Sequence, residues 1–518
     1  MRPRTPRVTT TRPAQRLAGA ICGLAAGAVT VAVADAVAQL SDPATSPLVA
    51  VGETFIDLTP GWLKDAAVSA FGTNDKLALL LGMAGVVGVL AATAGMLVAR
   101  RPVLAGGLVL LLGVIAGTAA VARPGAGALA AVPTVAGAAA GLLVLLVAGR
   151  ALRAETAAAP SGPGRRQVVR TLAGVAGLAA VAGAGDRTLA GRDPGGLTPT
   201  AVRLPAPADP APALPPGTDL AVAGVAPFVT PAADLYRIDT ALVVPRIDAA
   251  AWRLRVHGLV DRELELRHAD LLALPLVERT LTLTCVSNEV GGTLAGTATW
   301  LGVRVADLLR RAGLRPEADM VLSGSSDGFT ASTPIAALTD GRDALLAVGM
   351  NGAALPYEHG FPVRMVVPGL YGYVSATKWL TDLEVTRFDE AEAYWTRRGW
   401  AAQAPIRTFS RIDVPRPFAR VPAGPAAVAG VAWAQHRGVE RVEVRVDGGP
   451  WQPARLGAVP STDTWRQWVW TWDAEPGLHR LEVRAMDAAG ETQPGTRRPP
   501  KPDGATGWHS VAVTVTQR

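Results

Sequence analysis

Apolar positions along this chain follow two regimes that meet near residue 190. Before it they run almost unbroken. Residues 17–39, 77–99, 103–121 and 129–148 each approach the ~20 apolar residues that a helix needs to cross a bilayer, and they predict four transmembrane helices; residues 168–185 form a shorter fifth candidate. Residues 191–218, including PAPADPAPALPP, carry no core period and read as an extended, semi-rigid linker. From 219 to 402, strand-like runs such as WRLRVHGL alternate with helical ones such as VRVADLLRRAGL, so that stretch is mixed α and β. From 403 to 518 the helical period disappears, and VERVEVRVDGGPWQPARL, TWRQWVWTWDA and HSVAVTVT alternate with period two between turn signals. Trp468, Trp470 and Trp472 then share one face of a strand.

Charge orients the apolar region. Arg2, Arg4, Arg7, Arg12 and Arg16 precede the first span, Arg100 and Arg101 follow the second, and Arg150, Arg153, Arg165, Arg166 and Arg170 lie between the fourth and the fifth. The loop after the first span holds Asp42, Glu53, Asp57, Asp65 and Asp75 against Lys64 and Lys76. By the positive-inside rule, residues 1–16 are cytoplasmic, residues 17–190 thread the membrane about five times, and the rest is extracytoplasmic. The pI near 9.9 thus reflects arginines at membrane edges rather than a nucleic-acid surface, and no nucleic-acid partner is expected. The fifth run, GRRQVVRTLAGVAGLAAVAGAG, is similar to a twin-arginine export signal, or its Arg165 and Arg166 simply mark the cytoplasmic flank. Asp35, near the outer end of the first span, reads as a residue snorkelling to the interface.

Only two cysteines occur, Cys22 in the first apolar run and Cys285 at the end of TLTLTCVSNEVGG. Protein-held zinc or iron–sulfur sites use several Cys or His ligands at short spacing, and no CxxC or HxxxH is present. A lone thiolate suffices when an organic group brings the remaining ligands; on this residue alone, a buried core cysteine is the commoner reading. His257, His268, His359, His436, His479 and His509 all follow the spans, so no haem with histidine ligands is expected in the bundle.

The order TLTLTCVSNEVGG, GTATWLGV, SSDGFTASTP, MNGAALPYEHGFPVRMVVPGLYGYVSATKW and YWTRRGW resembles the sulfite oxidase family of molybdopterin enzymes, which includes the plant nitrate reductases. The resemblance runs from about Asp219 to the end of the chain. It implies an α+β molybdopterin-binding catalytic domain over 219–402, then an immunoglobulin-like β-sandwich over 403–518 of the kind that mediates homodimers, with the helical bundle anchoring both in the cell membrane. It also implies molybdenum–molybdopterin with Cys285 as the metal ligand, Asn288 beside it, and His359, Arg364, Thr377 and Lys378, with Asp327 a weaker match, around the pterin. Arg237 in LYRIDT and Arg437 fall where the family places substrate-anion arginines.

Two departures bear on substrate. Glu289 follows Asn288 where the family's sulfite enzymes have arginine, and Trp400 stands in place of a tyrosine. If Glu289 faced the cavity it would repel an oxyanion, and an indole cannot act as a phenolic proton donor or acceptor. The implied function is oxygen-atom transfer to or from a small oxo compound of sulfur, with electrons passed to a separate carrier such as a cytochrome or a quinone-linked protein. A reductase of sulfoxides such as methionine sulfoxide, and a non-catalytic membrane receptor with a degenerate cofactor domain, are the alternatives.

Overall fold

The computed structural model describes residues 12–60, 63, 70–71, 75–123, 126–157 and 196–517. They fall into two compact units, Met1–Pro194 with Ala241–Arg246, and Gly195–Thr240 with Ile247–Arg518.

The first unit is helical: α1 (Arg12–Ala38), α2 (Pro47–Leu58), α3 (Asp75–Val98), α4 (Pro102–Val121) and α5 (Val132–Ala157). Four segments, Gln15–Ala38, Lys76–Val98, Pro102–Val121 and Ala128–Arg153, are long and apolar enough to cross a membrane. They coincide with the four apolar runs of the sequence to within a few residues, apart from a longer C-terminal end on the fourth. Lipid supplies no hydrophobic drive between helices, so close approach depends on small residues; here Gly19 and Gly23 of α1 lie directly against Gly95 of α3. Asp35 does not simply reach for the interface, since its Oδ1 accepts from Ser46 Oγ at 2.5 Å. The fifth apolar run and its Arg165–Arg166 pair lie outside the described residues.

The second unit opens with β1 (Arg253–Gly258), β2 (Leu264–Arg267), helix α6 (His268–Leu272), β3 (Val277–Thr284), β4 (Ala295–Arg304) and α7 (Val305–Ala312). It continues through β5 (Met320–Ser325), β6 (Thr330–Pro334), α8 (Ile335–Thr339), β7 (Leu345–Met350), β8 (Ala353–Ala354), β9 (Arg364–Val366) and β10 (Leu380–Thr386). One sheet has the order β2-β1-β10-β5-β6, with β1 and β10 parallel; the other runs β3-β4-β7-β8, with β9 also on β7. In α7, Val305, Leu308, Leu309 and Ala312 are buried, the i, i+3, i+4, i+7 stripe of a half-buried helix.

The C-terminal part is all β: β11 (Phe409–Val414), β12 (Arg420–Pro422), β13 (Gly424–Trp433), β14 (Val439–Val446), β15 (Gln452–Pro453), β16 (Arg455–Leu456), β17 (Arg466–Ala474), β18 (Gly477–Asp487) and β19 (His509–Thr516). Two sheets, β11-β13-β17-β16 and β12-β19-β18-β14-β15, share a core that includes Val428, Val442, Trp468, Val483 and Val513. Trp468 and Trp472 are buried against this core and Trp470 half-buried, as alternation predicts. Trp465 instead joins Phe409 and Trp433 in the core of the mixed region, where its Nε1 donates to Phe228 O at 2.8 Å.

Residues 196–218 correct one expectation. They are extended, as a Pro/Ala-rich stretch should be, yet they do not act as a free spacer. Ala208 N donates to Leu276 O at 2.8 Å, and Asp209 bridges to Val277 beside β3. The Asp209 carboxylate receives Arg279 at 2.6 Å and Arg304 at 2.7 Å, and Asp343 completes the cluster. Backbone groups without an apolar period still need partners, and this strap finds them along β3 and β4.

Candidate functional site

Strands β3 and β4 form a hairpin whose last pair is Thr284–Ala295. Cys285 is the first residue beyond β3. The hairpin loop is closed by Cys285 N donating to Leu294 O at 2.9 Å and Leu294 N donating to Asn288 Oδ1 at 2.8 Å. Asn288, 4 % exposed, is therefore a brace of the loop. Cys285 and Ser287 line a cavity of about 130 Å³. Burial pushes the Cys285 thiol above its ordinary value, while hydrogen bonds from Ser287 pull the other way. Among the described residues no cluster of three or more His, Cys, Asp or Glu is arranged to hold a metal, at Cys285 or elsewhere.

The same cavity has a cationic lining. His359, Arg364 and Lys378 all line the cavity. Gly360 adopts a φ of +102°, and a side chain there would meet Lys378 and Arg364 at about 3 Å. Only glycine combines that conformation with that approach. Arg364, at the start of β9, is 6 % exposed, stacks over Trp300 at 5.0 Å and donates Nη1 to His359 O at 3.2 Å. Its Nε has no partner, and among the described residues no carboxylate pairs with it. Burial pulls its pKa down to about 10. Lys378 is pulled down to about 8, chiefly by burial, with Asp239 at 2.8 Å opposing the shift. Burial and Arg364 depress His359 to about 4, so the neutral ring donates Nε2–H to Ala232 O at 2.7 Å.

The remaining residues singled out by sequence divide. Asp327 and Trp400 line the same cavity. Thr377 is fully buried behind it, bonded to Ser323 Oγ at 2.7 Å. Arg237 sits between two lining residues, Tyr236 and Ile238, with its Nε on Asp239 at 2.8 Å. Arg437 is absent from the lining; its Nε pairs with the buried Asp487 at 2.9 Å, and its Nη2 donates to Ile406 O and Thr408 Oγ1. Glu289 is exposed and does not line the cavity, so the repulsion it would exert from inside does not arise.

Sequence reasoning missed several lining residues. Asp239, whose side chain is 3 % exposed, accepts from both Arg237 and Lys378 and ties the LYRIDT segment to the lysine. Tyr236 stands three positions before it in the same motif, and burial raises its phenol, which stays protonated. Tyr373, Trp395 and Trp400 build an aromatic wall, with ring centroids 5.7 Å and 6.1 Å apart. Tyr373 restores a phenol beside the indole of Trp400, and its hydroxyl donates to Ala401 O at 2.7 Å.

This donor set fits an anionic cofactor that carries its own metal ligands. One soft sulfur faces the cavity, and the buried Arg364, whose Nε lacks a partner, supplies a positive charge that a phosphate or pterin oxygen would complete. An uncompensated buried cation is costly, which makes the cationic lining a site awaiting a partner of opposite charge.

Comparison with known proteins bears on the same region. The family described as oxidoreductase molybdopterin binding domain matches residues 241–395. Sulfite oxidase of Gallus gallus is 33 % identical over 324 residues, 52 % of this chain and 69 % of that protein. Mitochondrial sulfite oxidase of Homo sapiens is 32 % identical over 53 % of this chain and 59 % of its own length, so the chain spans little more than half of that relative. The crystal structure of the sulfane dehydrogenase SoxCD from Paracoccus pantotrophus aligns with a TM-score of 0.49 at 24 % identity, covering 57 % of this chain and 85 % of that one.

Proposed function

The chain belongs to the sulfite oxidase family of molybdopterin-dependent oxidoreductases, and from that premise we propose that it is a membrane-anchored enzyme moving an oxygen atom to or from a small oxo compound of sulfur. The observation that carries this reading is that Cys285 lines one cavity together with the buried Arg364, which has no carboxylate partner among the described residues. Bound there, molybdenum–molybdopterin supplies two-electron oxygen-transfer chemistry, and the protein supplies orientation and field.

Cys285 would hold the metal as its thiolate, giving up the thiol proton to solvent, and Arg364 and Lys378 would offset the negative charge of the bound group. Arg364 and Lys378 would hold the pterin and its phosphate, neutral His359 ties its turn to Ala232 O while its own carbonyl accepts from Arg364, and Asp327 lines the same cavity. Thr377 and Asn288 support from behind. Arg237 draws an anionic substrate to the cavity edge, Tyr236 stays protonated, and Tyr373, its proton committed to Ala401 O, presents only acceptor capacity. Arg437 acts at a distance by holding Asp487 and the loop around Thr408.

With Glu289 outside the cavity and a phenol next to Trp400, sulfite is the leading substrate. Electrons leave one at a time to a separate carrier, a cytochrome or quinone-linked protein. The four apolar helices hold the protein in the cell membrane, the fifth apolar run at residues 168–185 is the odd crossing that puts the catalytic region outside, and the C-terminal β region is an immunoglobulin-type domain suited to homodimers. The test is steady-state turnover of cofactor-loaded, full-length protein. Oxidation of sulfite with an artificial acceptor is expected; reduction of sulfoxides from a reduced dye, with no sulfite oxidation, would reverse the assignment.

A further inference from the structure

Two arginine pairs a hundred residues apart, TRRGWA at 396–401 and TRRPPKP at 496–502, are neighbours in space. Ala401 N donates to Pro502 O at 3.0 Å, and a side chain on Gly399 would contact Lys501 Cε at 3.6 Å. Just beyond, Arg407 Nη2 pairs with Asp503 at 2.5 Å. The two segments set Arg397, Arg497, Arg498 and Lys501 on the surface, with Arg398 half-buried over the Tyr394 ring. No carboxylate occurs between residues 393 and 412 or between 492 and 502, and Asp503 is already engaged by Arg407. The patch adjoins the outer side of the wall formed by Trp395 and Trp400, both half-buried and both lining the cavity from within.

We propose that this basic patch is the docking surface for an acidic one-electron carrier protein, which seats its redox edge against the Trp395–Trp400 wall. The inference rests on the reaction proposed above, because that reaction must release two electrons, one to each of two carrier molecules. Charges around an interface rim act mainly on encounter rate and partner choice. Arg498 and Lys501 line neither the cavity nor its supports, so their replacement leaves the chemistry at Cys285 untouched, whereas Arg497 lies against Gly507, two residues from the His509 ring that meets the hairpin loop.

The experiment uses cofactor-loaded full-length protein, wild type against Arg498→Glu, with Lys501→Glu as an independent variant. Three acceptors are compared: an acidic soluble c-type cytochrome, a basic one, and a small neutral quinone. The expected result is a loss of about tenfold or more in kcat/KM for the acidic cytochrome, a flatter dependence on salt, and an unchanged rate with quinone. Equal rates of wild type and both variants with the acidic cytochrome overturn the proposal while leaving the reaction standing. Wild type inert toward every acceptor would overturn the reaction and the docking surface together. Variants that lose binding to phosphatidylglycerol vesicles but keep their cytochrome kinetics reassign the patch to lipid and also overturn it.

Discussion

Gln435, fully buried in the C-terminal β region, donates its Nε2 to Thr284 Oγ1 at 2.8 Å, one residue before Cys285. The same nitrogen reaches Thr282 O at 3.3 Å, and Thr282 N donates to Asp463 O at 2.9 Å. The β region therefore holds the strand that presents the cysteine. Gln435→Leu leaves buried acceptors on β3 unpaired, a loss on the order of 1–3 kcal/mol. A lower thermal midpoint and faster alkylation of Cys285 in cofactor-free protein are expected, and unchanged alkylation would mean the buttress does not reach the cysteine.

The hairpin loop is held from the same side. Arg411 Nη1 donates to Gly292 O at 3.0 Å, and Gly291, at a φ of +82°, would place a methyl 2.4 Å from the His509 ring. The left-handed conformation alone costs a non-glycine residue roughly 1–2 kcal/mol. Gly291→Ala should lower both the thermal midpoint and the retained metal, read by calorimetry and elemental analysis on one preparation.

Acid sensitivity has a defined origin. His509 is depressed to about 4, first by burial and then by Arg411 and Arg497, and its Nδ1 accepts from Ile412 N at 2.9 Å. Unfolded histidine titrates near ~6.5, so on acidification the unfolded chain takes up the proton first. The stability this ring contributes is fully present above pH ~6.5 and is lost as the pH falls toward about 4. His268 and His359, also near 4, act in the same window. His509→Asn keeps an acceptor for Ile412 without the titration, and urea midpoints between pH 7 and pH 4 should fall less steeply than in wild type.

The four long apolar helices, and the segments that bring Cys285, His359, Arg364 and Lys378 to one cavity, were legible in the chain, because an apolar run and a lone thiol among ordered motifs are local signals. What was not legible depends on distant partners. Arg437 reads as an anion-binding arginine until Asp487, fifty positions on, is seen to occupy it. The strap at 196–218 carries no period, and only the Arg279–Asp209–Arg304 contacts reveal that it is docked. Glu289 lies within four positions of the cysteine yet points outward, because the hairpin turns at Asn288. Asp239 sat unnoticed inside LYRIDT, since nothing in that motif indicates that Lys378 lies across from it.

Arg364 gives opposite signs in the two states of the protein. Without cofactor it is a buried cation lacking a carboxylate partner among the described residues, so Arg364→Met should leave the melting midpoint of cofactor-free protein unchanged or higher. In loaded protein the same change should lower retained pterin by about tenfold or more, the scale of a lost charge-assisted contact. A drop in the cofactor-free midpoint would show that Arg364 serves the fold rather than the site.

The central claim is that Cys285 is the chain's bond to a molybdenum–pterin group. Molybdenum and pterin content of the full-length protein, purified from a host that makes the cofactor and set beside Cys285→Ser of equal thermal stability, tests it most directly. Near-stoichiometric molybdenum in wild type and its loss in the serine variant is the predicted result; folded wild type without molybdenum, or a serine variant that keeps metal and full turnover, would contradict it.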